Sequence, residues 1–144
     1  MDGKTVVITG CNTGIGKITA LDMAKRGAKV IMLCRDLGRA EPAAADIRSQ
    51  VPGADIVVQR MDLASLDSIK DCVDSLKKTV SKVDILINNA GVMMCPLTRT
   101  KDKFEMQVGT NHFGHFYLTN LLLPLIKNAG SGSRIVTLSS AAHR

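Results

Sequence analysis

A chain of 144 residues is the size of one domain, and such a domain buries roughly two thirds of the surface its unfolded chain exposes. Its 45% apolar and 22% charged residues exclude a disordered segment, and 3% aromatic content requires a core of aliphatic side chains, as in a Val-, Ile- and Leu-rich parallel sheet. The formal charge of +6 does not point to nucleic acid, because the basic residues are scattered and no aromatic side chains interleave them for base stacking.

Apolar runs of four to six residues alternate with helix-period segments, the pattern of parallel strands joined by crossover helices. The first strand is placed at Thr5-Thr9, and Met1-Asp2-Gly3-Lys4 runs straight into it without a signal peptide. Next comes the glycine-rich stretch Gly10-Cys11-Asn12-Thr13-Gly14-Ile15-Gly16, then a helix over Ile15 to Arg26 with Ile18, Leu21, Asp22 and Ala24-Lys25 on helical spacing and Gly27 as its stop. A strand at Lys29-Leu33 completes one β-α-β unit. Glycines placed this way let the chain turn tightly, let backbone approach a pyrophosphate and let the helix pack close to the sheet, while the helix N-terminus offers free N–H groups.

A second, alanine-rich helix over Leu37 to Gln50 ends at Val51-Pro52-Gly53, and a third strand follows at Asp55-Gln59. Ser65 is the expected N-cap of a third helix whose apolar face carries Leu66, Ile69, Val73, Leu76 and Val80. The fourth strand is Asp84-Asn88. A long helical segment from Lys103 to Lys127 follows, with Pro124 kinking it or opening its last turn. A polar loop, Asn128 to Ser133, feeds the fifth strand, Arg134-Leu138. The chain stops soon after that strand with no helix to cover it, so the expectation is an α/β, Rossmann-type doubly wound parallel sheet of about five strands, incomplete, with residues 1–144 the N-terminal part of a single dinucleotide-binding domain.

Cys11, Cys34, Cys72 and Cys95 are widely spaced and lie in or beside apolar stretches, so neither a disulfide framework nor a zinc site is indicated, and a reducing compartment is expected. No apolar run approaches the roughly 18 residues a membrane span needs, and the chain reads as soluble. The glycine loop lacks the Gly-Lys-Ser/Thr ending of a nucleoside-triphosphatase phosphate loop, which removes that class.

With these residues in place the sequence resembles the short-chain dehydrogenase/reductase family, through Thr9 to Gly16, Asp62-Leu63, Asn88-Asn89-Ala90-Gly91, Asn111 and Ser139-Ser140, in the family's order. Asn12 to Lys17, Cys34-Arg35-Asp36, Asp84 to Met93 and Asn111 to Phe116 are similar to the retinol dehydrogenase branch. The resemblance implies hydride transfer between a nicotinamide and a lipophilic alcohol, aldehyde or ketone, retinal-like by branch. It implies cofactor contacts from Gly10, Asn12, Thr13, Gly14, Ile15, Gly16, Arg35, Asp62, Leu63, Asn89, Ala90 and Gly91. Arg35 favours NADP over NAD, with Lys17 adding charge nearby; the competing reading has Arg35 paired with Asp36 or Asp22 and Asp36 holding the ribose. For Asp62 the plain alternative is a turn cap, and Asn88 is expected to strap neighbouring strands.

Of the family's catalytic groups, Asn111 matches the asparagine and Ser140 the serine. Taken alone, a polar residue such as Asn111 within an apolar helix reads as a local kink. The family's Tyr-x-x-x-Lys is missing: the single tyrosine is Tyr117, a core or interface aromatic, and four residues on stands Leu121. His112 and His143 are acid–base groups by type but not by position, and a lone histidine reads as structural. The chain as it stands is therefore expected to bind cofactor without turning over. The alternative is a non-catalytic dinucleotide-binding or partner-binding module. The resemblance places the protein in the cytoplasm or on the cytosolic face of the endoplasmic reticulum, and a homo-oligomer is compatible with it.

Overall fold

A computed structural model describes residues 1–143. Five strands alternate with helices: β1 Thr5–Thr9, α1 Gly14–Lys25, β2 Lys29–Cys34, α2 Leu37–Gln50, β3 Ile56–Arg60, α3 Leu66–Thr79 and β4 Ile85–Asn88. A helical turn α4 (Met106–Val108), a π-helical segment (Gly109–Gly114), α5 His115–Asn128 and β5 Arg134–Thr137 complete the order, with a short 3-10 turn at Ala141–His143. The strands are all parallel in the order β3-β2-β1-β4-β5. That order reverses direction between β1 and β4, the point at which an open α/β sheet leaves a crevice at its carboxyl edge.

Two aliphatic layers sandwich the sheet because strand side chains alternate. Val6, Ile8, Val30 and Met32 face α1 and α2, with Ala20, Ala24, Ala40 and Ile47 opposite them. Val7, Ile31, Leu33 and Leu86 face α3 and α5, meeting Ile69, Val73, Leu76, Leu118 and Leu122. The caps of the second and third helices are side-chain oxygens: Asp36 accepts from the Arg39 N–H and Ser65 from the Ser68 N–H. Asp84, just ahead of β4, is buried and accepts from the Thr5 N–H at 2.8 Å and from Lys4 at 3.2 Å, which fixes β4 against β1. β5 lies at the sheet edge, and its Ile135 and Val136 are each 44% exposed.

Two sequence expectations fail here for physical reasons. The buried stripe of α1 is Gly16, Ala20 and Ala24, while Ile18 is 69% exposed. The helix lies so close to the sheet that only small residues fit the contact, so hydrophobicity picked the wrong face. The segment from Lys103 to Lys127 is not one helix but a short turn, a π-helical segment and α5. Phe104, Phe113 and Phe116 lie on its outer side, at least partly exposed. α5 itself runs through Pro124 to Asn128.

Candidate functional site: a dinucleotide groove

β1 enters the glycine loop fully buried, and the loop is shaped by what cannot fit there. Gly10 has φ +61°, and a Cβ on it would come within 2.7 Å of the Cα and Cβ of Ala90. A Cβ on Gly16 would run into the Asn89 amide and the Gly10 carbonyl. Gly14 also has positive φ, +54°, but open space surrounds it, so conformation rather than crowding demands glycine. Thr13 precedes α1 in an extended conformation without a side-chain cap, and no acidic residue occupies the first turn. The first N–H groups of α1, with their partial positive charge, are left for an anion above Gly14.

Below the loop, Thr9 is wholly buried and its hydroxyl is a hub. Thr9 Oγ1 accepts from the N–H groups of Asn89 and Ala90, each at 3.0 Å, and lies 2.8 Å from His115 Nε2. With two donors already on the oxygen, its proton goes to Nε2, which leaves Nδ1–H of His115 to donate to the Asn111 carbonyl at 3.0 Å. His115 is thereby held neutral: burial lowers its pKa, opposed in part by the bond to Asn111. Asn89 Nδ2 donates to the carbonyls of Thr9 and Gly10, both at 2.9 Å. The expected strap between strands is therefore Asn89, whereas Asn88 ties β4 to α5 through Thr119 at 3.1 Å.

Every residue expected to touch a cofactor, from Gly10 to Gly91, lines one open groove of about 580 Å³ across the crevice. Asp62 does so while its Oδ1 accepts from the Ala64 N–H at 2.9 Å, so it also makes the turn cap. At the end of β2 the groove is bordered by Arg35, Asp36 and Arg39. Among the described residues Asp22 pairs with Arg26 and Asp36 caps α2, and neither carboxylate pairs with Arg35. Lys17 does not add charge there, because it bridges to Asp46 of α2 at 2.6 Å. Arg39 was missed in the sequence; its signal is a second arginine four residues after Arg35, within the first turn of α2.

The two catalytic candidates lie outside the groove lining. Asn111 sits in the π-helical segment, where its amide clasps Val92 twice: Oδ1 accepts from the Val92 N–H and Nδ2 donates to the Val92 carbonyl, both at 2.8 Å. Such π turns recur at functional sites, and this one turns Asn111 toward the β4 loop rather than kinking the helix at random. Ser140 is exposed beyond β5 and accepts from the Ala142 N–H at 3.1 Å. Tyr117 packs, partly buried, against the α3–α5 layer. His112 joins Phe113 and Phe116 in a ring cluster, and the side chain of His143, like Arg144, lies outside the described residues. Sequence reasoning also passed over His115, whose signal is its place four residues after Asn111. Among the described residues no helix is long and apolar enough to cross a membrane.

A parallel sheet with a glycine cradle at its switch point defines a dinucleotide-binding class of fold, and the chain belongs to the short-chain dehydrogenase family, whose model matches residues 4–144. It is 54% identical to human retinol dehydrogenase 13 over 141 residues, 98% of this chain and 42% of the relative. It is 49% identical to mouse retinol dehydrogenase 14, covering 100% of this chain and 46% of the relative. A solved protein from Mycobacterium paratuberculosis superposes with a TM-score of 0.83 at 46% identity, over 99% of this chain and 48% of that one. Pseudomonas aeruginosa RhlG, solved as an NADP active-site complex, gives 0.83 at 25% identity, over 99% and 56%. The chain thus spans less than half the length of the curated relatives it matches.

Proposed function

We propose that residues 1–144 are the cofactor-binding part of a single Rossmann domain in an NADP-dependent short-chain oxidoreductase acting on a lipophilic alcohol, aldehyde or ketone of retinoid type. The observation that carries this reading is the groove itself, in which a glycine cradle with no room for a side chain at Gly10 or Gly16 meets two arginines, Arg35 and Arg39. The uncapped start of α1 suits the pyrophosphate, and the guanidinium forks of Arg35 and Arg39 suit a ribose phosphate. Asp62 and Leu63 are assigned to the adenine, and Asn89, Ala90 and Gly91 to a ribose; all five line the groove. When bound, the nicotinamide supplies or accepts the hydride. The substrate class rests on the likeness to retinol dehydrogenases. The location proposed with it is the cytoplasm or the cytosolic face of the endoplasmic reticulum.

Asn111 positions rather than reacts in this reading: its clasp on Val92 holds the loop after β4 open at the crevice, and Ser140 is assigned to the substrate oxygen. The 144 residues contain no Tyr-x-x-x-Lys, so these residues alone are assigned binding and not turnover. Titration of the purified chain with NADPH and NADH, alongside Gly14→Asp, tests binding. A substrate-dependent oxidation of NADPH by the same chain above the Gly14→Asp control refutes the assignment of binding without turnover.

A further inference from the structure

The phosphate loop carries a second pair of groups that dinucleotide binding does not use. Cys11, inside the loop, and Cys34, at the end of β2, bring their sulfurs within 3.8 Å, and both side chains are buried, 0% and 3% exposed. A disulfide bond is about 2.05 Å long, so the two sulfurs need to close by roughly 1.8 Å to join. The loop around Cys11 is closely packed: a Cβ added at Gly16 would come within 2.9 Å of the Cys11 Cα, and one at Gly10 within 2.7 Å of Ala90. Pulling Cys11 toward β2 therefore displaces the cradle and the start of α1.

We propose that Cys11 and Cys34 form a modification site, a dithiol under the phosphate cradle that a peroxide or a low-molecular-weight disulfide converts reversibly to an intramolecular disulfide, and that the cross-linked chain loses affinity for the dinucleotide. The loss of affinity rests on the dinucleotide reading above; the cross-link itself does not.

The two thiols are set up unequally. The hydrogen bond between the two thiols lowers the Cys34 pKa against the opposing effect of burial, and the backbone N–H groups of Cys11 and Asn12 lower it further. The same hydrogen bond, with burial, raises Cys11. Cys34 is among the residues lining the groove and Cys11 is not, which makes Cys34 the first of the two assigned to the oxidant. Its thiolate attacks one peroxide oxygen: an S–O bond forms, the O–O bond breaks, and the departing oxygen leaves as water after taking a proton. The Cys11 sulfur then attacks the Cys34 sulfenic acid, forming S–S and breaking S–O, and the hydroxyl leaves as water with the Cys11 proton. Two thiols are oxidised by two electrons and one peroxide is reduced to two waters. Cys72, by contrast, is pushed up to about 12 by burial on the inner face of α3 and has no thiol partner in reach among the described residues.

The test uses the whole chain, treated with hydrogen peroxide, alkylated and mapped by mass spectrometry, with NADPH titrated before and after. The expected result is loss of two of the four thiols, a Cys11–Cys34 linked peptide, and NADPH affinity reduced by about tenfold or more, with dithiothreitol restoring both. Cys11→Ala is expected to give no linked peptide. Should that variant not fold, the peptide map of the unaltered chain decides alone. Linkage to Cys72 or Cys95, retention of all four thiols, or sulfinic acid on Cys34 without a cross-link overturns the site. A cross-link with unchanged NADPH affinity overturns the coupling. Failure of the reduced chain to bind NADPH at all overturns the dinucleotide reading, and the coupling with it, while the peptide map still judges the cross-link.

Discussion

Thr9 Oγ1 lies 2.8 Å from His115 Nε2, and this buried contact ties the strand beneath the glycine loop to the helix that follows Asn111. The glycine loop and Asn111 are thus parts of one hydrogen-bonded unit, since the same hydroxyl also holds the backbone of Asn89 and Ala90 and the same imidazole holds the Asn111 carbonyl.

Thr9→Val keeps the shape and removes the hub. Two half-buried N–H groups lose their acceptor, at a cost of up to about 1–3 kcal/mol for each group left unsatisfied. Urea unfolding is expected to show a loss of about 2 kcal/mol or more for Thr9→Val and little change for Thr9→Ser, which keeps the hydroxyl. Equal behaviour of the two variants contradicts the hub.

His115 gives the fold a pH dependence of known sign. Its pKa is lowered from the ordinary 6.5 by burial, so as pH falls through 6.5 the unfolded chain takes up a proton that the folded chain refuses. Its contribution to stability is complete above that pH and declines as pH drops toward the folded value. The urea midpoint of the unaltered chain is expected to fall between pH 7.5 and pH 5.5, and that of His115→Gln, weaker at both, to be flatter across the same interval. A parallel slope in the variant rules out His115 as the source.

The glycines separate by mechanism. Gly10→Ala combines positive φ with a 2.7 Å collision against Ala90, whereas Gly14→Ala meets open space and suffers only the conformational penalty of about 1 kcal/mol. The thermal midpoint is expected to drop clearly further for Gly10→Ala. The reverse order is inconsistent with the packing between the loop and β4.

Much of this was legible in the sequence because the strands are short, continuous apolar runs and the loop chemistry is local. Leu37 and Gln50 bound α2 where the pattern placed them, and Ser65 caps α3 through its hydroxyl as its position suggested. What escaped depends on contacts distant in sequence. Ile18 is on helical spacing yet exposed, because α1 approaches the sheet through Gly16, Ala20 and Ala24. Lys17 lies beside the phosphate loop in sequence, but Asp46, from the next helix, takes its charge. The π-helical turn that presents Asn111 to Val92 leaves no mark in apolar periodicity, and the roles of Asn88 and Asn89 could be told apart only once β1 lay beside β4.

If the groove between β1 and β4 takes a dinucleotide with its ribose phosphate against Arg35 and Arg39, calorimetric titration of the chain and of Arg35→Ala with NADPH and NADH reads that contact. A charge-assisted hydrogen bond contributes about 1.5–3 kcal/mol and each 1.4 kcal/mol is about tenfold in affinity, so NADPH is expected to bind the unaltered chain roughly tenfold or more tighter than NADH. Arg35→Ala is expected to erase that difference while leaving NADH affinity as it was. Equal or tighter binding of NADH by the unaltered chain, or no binding of either by a chain shown to be folded, contradicts the account.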